Sequence, residues 1–267
     1  MSDSIYHEIV TGWREDDRAR FSSAQFEFHE STGSTNDDLL EKLRRGEAGP
    51  FHLIVADSQT KGRGRRGDRW EGGDGRNLLF SLALQLGPER EKWSRLPHVA
   101  AYVVGSAVES ILPPGNQIAA KWPNDLFGDG RKMAGILVET TLTPQPFAVV
   151  GIGLNVNLRL ADLPPELHDI STSLYEVLGC ESNRWFVLGL ILQGFLREYP
   201  NIDTNFTDIL DWIAPRDFLA GKNLRVVTGN KTIEGYAIGT GKGGELLVRD
   251  ADNHVHHIIS AEKIEVC

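Results

Sequence analysis

An α+β fold is predicted by three observations. Strand-like apolar alternation dominates residues 25–155, helical periodicity returns between residues 184 and 213, and the last fifty or so residues change to short strands separated by turns. The first two imply a mixed β-sheet flanked by helices, and the third a small C-terminal β-barrel. The expected division is a lead-in segment over 1–24, a main unit over 25–216 and a small unit over 217–267.

The elements follow in order. Gln25 to His29 alternates as a strand, and Ser34-Thr35-Asn36-Asp37-Asp38 offers capping side chains to a helix carrying Leu39, Leu40 and Leu43, which Gly46 ends. A strand over His52 to Asp57 enters a long glycine-rich loop, Ser58 to Gly75, and a second apolar strand, Asn77 to Leu86, leaves it. Val99 to Leu112 is apolar but broken by Gly105, Ser106, Glu109 and Ser110, so it reads as a buried helix with Pro97 near its first turn. Ile118 to Trp122, a hairpin turning at Gly128-Asp129-Gly130, Met133 to Thr140, and Phe147 to Asn155 complete one sheet. Helices over Arg184 to Glu198 and Phe206 to Ile213 should cover it. Beyond Lys222, turns at Gly229-Asn230, Gly241 to Gly244 and Ala251-Asp252-Asn253 separate short strands, the last near Lys263 to Val266.

Bulk properties narrow the function. The 267 residues, 40% hydrophobic, suffice for one sizeable core and a small appended one. A formal net charge of −9 argues against a dedicated nucleic-acid binder, which needs excess Lys and Arg over a whole face. Two cysteines, Cys180 and Cys267, make no disulfide framework and no zinc pair. No segment has the charge pattern of a secretion signal or the ~18 apolar residues of a membrane span. A soluble cytoplasmic protein is expected.

Two segments carry chemistry. Gly62-Arg63-Gly64-Arg65-Arg66-Gly67 fits the G-x-G-x-x-G spacing, but Asp68-Arg69-Trp70-Glu71-Gly72-Gly73 cannot continue as a dinucleotide-site helix. What remains is a glycine loop that concentrates Lys61, Arg63, Arg65, Arg66 and Arg69 in an acidic chain. It is either an anion-binding loop able to close over its ligand or a solvated basic loop. Lys121-Trp122-Pro123-Asn124-Asp125 places a lysine at the end of an apolar strand. Either an anionic ligand partners it, or its stem is buried and its ammonium reaches water.

These segments, in order with Gly33-Ser34-Thr35-Asn36, Gln59, Trp70, Lys132-Met133-Ala134-Gly135-Ile136-Leu137-Val138-Glu139 and Gly151-Ile152-Gly153-Leu154-Asn155, resemble the biotin protein ligases over roughly residues 28 to 160. The resemblance implies a class II synthetase-like, biotin–lipoate ligase catalytic domain with an SH3-like β-barrel at the C-terminus. It implies ATP and biotin as substrates with Mg²⁺, and a biotin carboxyl carrier protein or domain as partner.

By the same resemblance, Ser34, Thr35, Asn36, Gln59, Arg63, Gly64, Arg65 and Lys121 would bind biotin, while Arg63, Arg65, Arg66, Trp70, Lys121 and Asn155 would meet ATP or the adenylate. Lys121 and Arg63 are the expected catalytic pair, with Lys121 between the biotin carboxylate and the α-phosphate. Capping by Ser34 and plain packing by Trp70 are compatible alternatives. No protein metal site is expected, Asp125 and Glu139 being weak candidates to assist the ion. About thirty residues precede the matched stretch, too few for the helix-turn-helix domain some relatives carry, so no DNA binding is expected. The family allows a homodimer, for which sheet-edge strands are candidate surfaces.

Other segments admit other readings. His254, His256 and His257 invite a metal reading, since alternate strand residues share a face, but no acid or cysteine at ligand spacing completes a metal set. Gly239 to Gly244 with Lys242 resembles a phosphate loop only superficially. A lipoate or octanoate ligase is the nearest enzymatic rival, disfavoured by the full glycine-arginine loop. A nucleic-acid binder using that loop and the barrel is the rival from another class.

Overall fold

The computed structural model describes residues 3–67, 70, 74–142, 144–202 and 204–267; the side chains of Asp3 and Arg66 are outside that description. Two short helices, α1 (Asp3–Ile9) and α2 (Glu15–Phe21), come first, then β1 (Phe26–Thr32), α3 (Thr35–Arg45), β2 (Leu53–Gln59), β3 (Leu78–Gln85) and α4 (Leu96–Glu109). A meander of β4 (Ala119–Lys121), β5 (Asp125–Gly128), β6 (Arg131–Thr141) and β7 (Phe147–Leu154) leads to α5 (Leu174–Leu178), α6 (Arg184–Glu198) and α7 (Phe206–Ile213). The chain ends in β8 (Asn223–Thr228), β9 (Lys231–Thr240), β10 (Leu246–Arg249), β11 (Val255–Ile258) and β12 (Lys263–Val266).

The first sheet runs β1-β2-β3-β7-β6-β5-β4, with β1 parallel to β2 and every other pair antiparallel. This is the mixed sheet expected. The single parallel pair follows from α3, whose crossover returns the chain in the same direction. Strand alternation then divides the core. Leu78, Phe80, Leu82 and Leu84 of β3 face the layer of α4, α6 and α7, whereas Ala83, with Ile54 and Val149, faces Leu39, Leu40 and Leu43 of α3. Helices therefore cover both faces, and no helix is long and apolar enough to cross a membrane.

Local signals are placed close to expectation. Ser34 Oγ accepts from the Asp37 amide at the start of α3, and Gly46 takes the left-handed conformation that ends it, φ 72°. Pro97 lies at the first positions of α4.

The 1–24 lead-in carries two helices: α1 and α2 lie against α6, burying Ile9, Val10, Trp13 and Phe21. Gly189 permits that approach, since a Cβ there would stand 2.0 Å from the Ile9 carbonyl oxygen. The C-terminal strands form a second, antiparallel sheet, as an SH3-like unit requires, and among the described residues they pair as an open row, β11-β10-β9-β8-β12, in place of a closed barrel. Leu224, Val226, Ala237, Leu246, Val248 and Ile258 form its core, and Trp122 from the first sheet completes that core. The Trp122 indole N–H also donates to the Gly244 carbonyl at 2.9 Å, so the turn after β4 is held from both sides.

Candidate active site

A cavity of about 210 Å³ opens where the N-terminus of α3, the end of β2, the glycine loop, the β4–β5 turn and the middle of β6 and β7 meet, with residues 261–264 closing one side. Ser34, Thr35, Asn36, Gln59, Arg63, Gly64, Arg65, Trp70 and Lys121 all line it. Asn155 does not: it is buried elsewhere, its side-chain amide donating to the Thr172 carbonyl at 3.0 Å. The side chain of Arg66 lies outside the described residues, as do Asp68 and Arg69.

The polar wall is a hydrogen-bonded set. Gln59 Oε1 accepts from the Thr35 amide at 2.8 Å and the Thr35 hydroxyl at 3.1 Å, which fixes the orientation of the Gln59 amide. Ser81 Oγ lies 2.7 Å from Thr35 Oγ1 and 2.5 Å from Asn36 Oδ1. Asn36 Nδ2 donates to Glu139 Oε2 at 2.9 Å. A Cβ on Gly151 would stand 2.2 Å from Asn36 Oδ1, so β7 must carry glycine beneath this helix start.

Trp70 rests on a floor of glycine. A Cβ at Gly153 would meet its Cε2 at 2.2 Å, and one at Gly135 its Cζ3 at 2.9 Å. The Trp70 amide donates to the Gly62 carbonyl at 3.0 Å, folding the loop back on itself. Its buried indole N–H has no hydrogen-bond partner among the described residues. Lys132 Nζ stands 5.5 Å from the centroid of the indole and 2.8 Å from Asp125 Oδ1.

Lys121 ends β4, and a cis Trp122–Pro123 bond follows. The turn is laced to β6: the Ile136 amide donates to the Asn124 carbonyl and Asn124 Nδ2 donates to the Ile136 carbonyl, both at 2.9 Å. Lys121 Nζ lies 5.4 Å from the Phe127 ring and 5.8 Å from Phe218, without an ion pair among the described residues. Burial holds its ammonium below the ordinary lysine range, with Asp125 opposing and Lys132 and Lys222 adding to the shift. Lys121 is thus a half-buried residue on the cavity wall.

Arg63, partly exposed, is held by two carboxylates. Both of its terminal nitrogens bond Glu139, at 2.8 to 3.1 Å, and Nη2 reaches Asp37 Oδ1 at 2.5 Å. Burial opposes its charge, but Glu139 and Asp37 outweigh that and raise the guanidinium above its ordinary value.

Sequence reading missed several contributors. Ser81 is a lone hydroxyl in the apolar run Leu78–Gln85, a signal that was present. Gly135, Gly151 and Gly153 lie within quoted motifs, but their function as floor needed the neighbouring strand register. The C-terminal wall had no local signal at all. Outside the cavity, the expectation that no acid stands at ligand spacing from the C-terminal histidines is corrected for His254: ligand atoms of Asp250, Asp252 and His254 lie within 4.8 Å of one another. The cluster is explained by its turn, in which Asp250 Oδ1 accepts from the Asp252 and His254 amides and Oδ2 lies 2.7 Å from His256 Nε2.

Comparison with known proteins gives a consistent set of likenesses. Residues 28–157 match the model of the biotin/lipoate A/B protein ligase family. The chain is 34% identical over 238 residues to the bifunctional ligase/repressor BirA of Bacillus subtilis, covering 88% of this chain and 72% of that one. It is 31% identical to the biotin–[acetyl-CoA-carboxylase] ligase of Paracoccus denitrificans, covering 82% and 91% of the two chains. The biotin protein ligase of Aquifex aeolicus, solved with biotin and ATP, superposes with a TM-score of 0.78 at 29% identity, covering 91% of this chain and 99% of that one.

Proposed function

The chain belongs to the biotin/lipoate A/B protein ligase family, and from that premise we propose that it is a biotin protein ligase, activating biotin with ATP to biotinoyl-5'-AMP and passing biotin to a lysine of a biotin carboxyl carrier protein or domain. The observation that carries this reading is that Thr35 and Gln59, the Arg63–Arg65 loop, Trp70 and the half-buried Lys121 border one cavity. A neutral hydrogen-bonding wall suits the ureido group of biotin, which both donates and accepts, and a cation without an ion pair among the described residues suits a carboxylate approaching a phosphate.

In the first half-reaction a biotin carboxylate oxygen attacks the α-phosphorus, and the bond to the β-phosphate oxygen breaks with pyrophosphate as leaving group. Lys121 offsets the repulsion between the two anions and the charge that develops between them; it is not a nucleophile. Trp70 gives the adenylate an apolar face. The glycine loop keeps water from the mixed anhydride. In the second half-reaction the carrier lysine, having lost a proton to solvent, forms a C–N bond to the acyl carbon as the C–O bond to phosphate breaks. AMP leaves with the electron pair and the second amine proton passes to solvent.

Mg²⁺ enters with ATP as part of the substrate. The two carboxylates considered for it are engaged, Asp125 by Lys132 and Glu139 by Arg63 and Asn36. Phosphate oxygens and water are therefore its expected ligands.

The test is biotin-dependent ATP–pyrophosphate exchange followed by transfer to a purified carrier domain, with lipoate in parallel. Biotin transfer that Lys121→Ala abolishes supports the reading. Activity with lipoate alone would replace biotin as the substrate, and exchange with neither acid would overturn the assignment as a ligase.

A further inference from the structure

The 122–124 turn, Ile136 and Leu137 also border a second cavity, of about 600 Å³, whose remaining walls come from the segment entering α4 and from the C-terminal sheet. Arg65 borders both cavities. Their chemistry differs. The first presents Arg63, Arg65, Lys121, Lys132 and Lys263 against two acids, Asp125 and Glu262, whereas the described lining of the second has no lysine and sets Glu91 on one side and Glu245 on the other against Arg65.

Glu245 is built into its place: Oε2 accepts from the Gly243 amide at 2.9 Å and Oε1 lies 3.0 Å from His257 Nδ1. Burial works against its charge, but the loop amides and His257 hold its carboxyl below the ordinary glutamate range, so it is ionised at neutral pH. Beneath it, His98 is only 7% exposed, and neither ring nitrogen completes a hydrogen bond among the described residues, although the Ser94 and Gly244 backbone lies beside the ring. Ile259, 80% exposed, stands at the rim.

We propose that this second cavity receives the acceptor lysine of the carrier, with Glu91 and Glu245 drawing in its ammonium and the exposed Ile259 offering an apolar contact at the rim. The inference rests on the ligase reading. The acceptor must reach an adenylate lying against Lys121 and Arg65, yet the cations of the first cavity repel an ammonium. An acid-lined approach on the other side of the 122–124 turn replaces that repulsion with attraction.

The test uses the full chain and the double variant Glu91→Gln/Glu245→Gln, in which the new side-chain carbonyl at position 245 can still accept from the Gly243 amide. Carrier biotinylation is compared with capture of the adenylate by hydroxylamine, a small nucleophile that is uncharged at neutral pH. At low salt the expected result is a fall of about tenfold in kcat/KM for the carrier relative to hydroxylamine capture, shrinking as salt screens the native charges. Ile259→Asp, at a position too exposed to matter for folding, should raise the carrier KM in the same ratio test. Carrier transfer that keeps pace with hydroxylamine capture in both variants overturns the proposal. Absence of biotin-dependent exchange in the native chain is a different failure, since it removes the ligase reading itself.

Discussion

Arg63 Nη2 lies 2.8 Å from Glu139 Oε2 while the same carboxylate oxygen accepts from Asn36 Nδ2 at 2.9 Å, so one acidic side chain of β6 holds both the glycine loop and the start of α3. The loop is thereby shaped before any ligand arrives. What Arg63 offers the cavity is largely position, because two carboxylates already neutralise its charge.

Glu139→Gln keeps the size of the side chain but gives up one charge and the fork of hydrogen bonds. Both partners are partly exposed, so the stability lost should be small, roughly 1 kcal/mol. The larger effect is expected on the loop: faster tryptic cleavage near residues 61–66 and a fall of about tenfold in kcat/KM for biotin. Cleavage and kinetics equal to those of the native chain would show that Glu139 does not set the loop.

Lys121→Ala should lower the rate of biotin-dependent pyrophosphate exchange by about 10² to 10³, the range found when one transition-state donor is removed. Lys121→Arg should recover little of it. The ammonium stands beside the stacked Phe127 and Phe218 rings, 5.4 and 5.8 Å from their centroids, and a planar guanidinium cannot take up the same point position. Full activity in the arginine variant would show that only the sign of the charge matters.

Gly153→Ala tests the floor under Trp70. A methyl group would stand 2.2 Å from the indole, and the strand backbone cannot retreat because β7 is paired on both sides to β3 and β6. Trp70 must move instead. The expected outcome is a rise of about tenfold or more in the KM for ATP, measured with melting temperature to confirm that the variant folds. Unchanged ATP kinetics would remove Trp70 from the nucleotide site.

Ser81→Ala removes the hydroxyl beside Thr35 and Asn36, both buried. The orphaned polar groups should cost about 1–3 kcal/mol, divided between stability and biotin affinity. Calorimetric titration with biotin and a urea melt read the two shares, and no change in either would show that the hydroxyl is idle.

Ser81 also shows where sequence reading stops. Periodicity and capping placed the sheet, α3, α4 and α6, because each depends on residues near one another in the chain. The basic loop and Lys121 stood out because charge interrupts an apolar or glycine-rich context. The glycine floor, the Arg63–Glu139 link and the wall at residues 261–264 join positions many residues apart, and only strand register brings them together. α1 and α2 escaped notice for another reason. At seven residues each they carry too few apolar positions to show a period, and they gain their order from contact with α6.

His98 makes stability depend on acid pH. Burial pushes its imidazole down to about 4, against an ordinary value of 6.5. Between those values the unfolded chain binds a proton that the folded chain refuses, so this contribution is fully present above about pH 6.5 and is lost as pH falls to about 4. That depression corresponds to about 3 kcal/mol for so buried a group. Carboxylates also titrate over part of this range, and His52, likewise depressed by burial, adds to the slope. The variant His98→Gln isolates the term: the difference in urea midpoint between pH 7 and pH 4.5 should be smaller in the variant than in the native chain. Equal differences would mean that the ring takes up its proton in the folded state without penalty, which the 7% exposure and the absence of a completed hydrogen bond argue against.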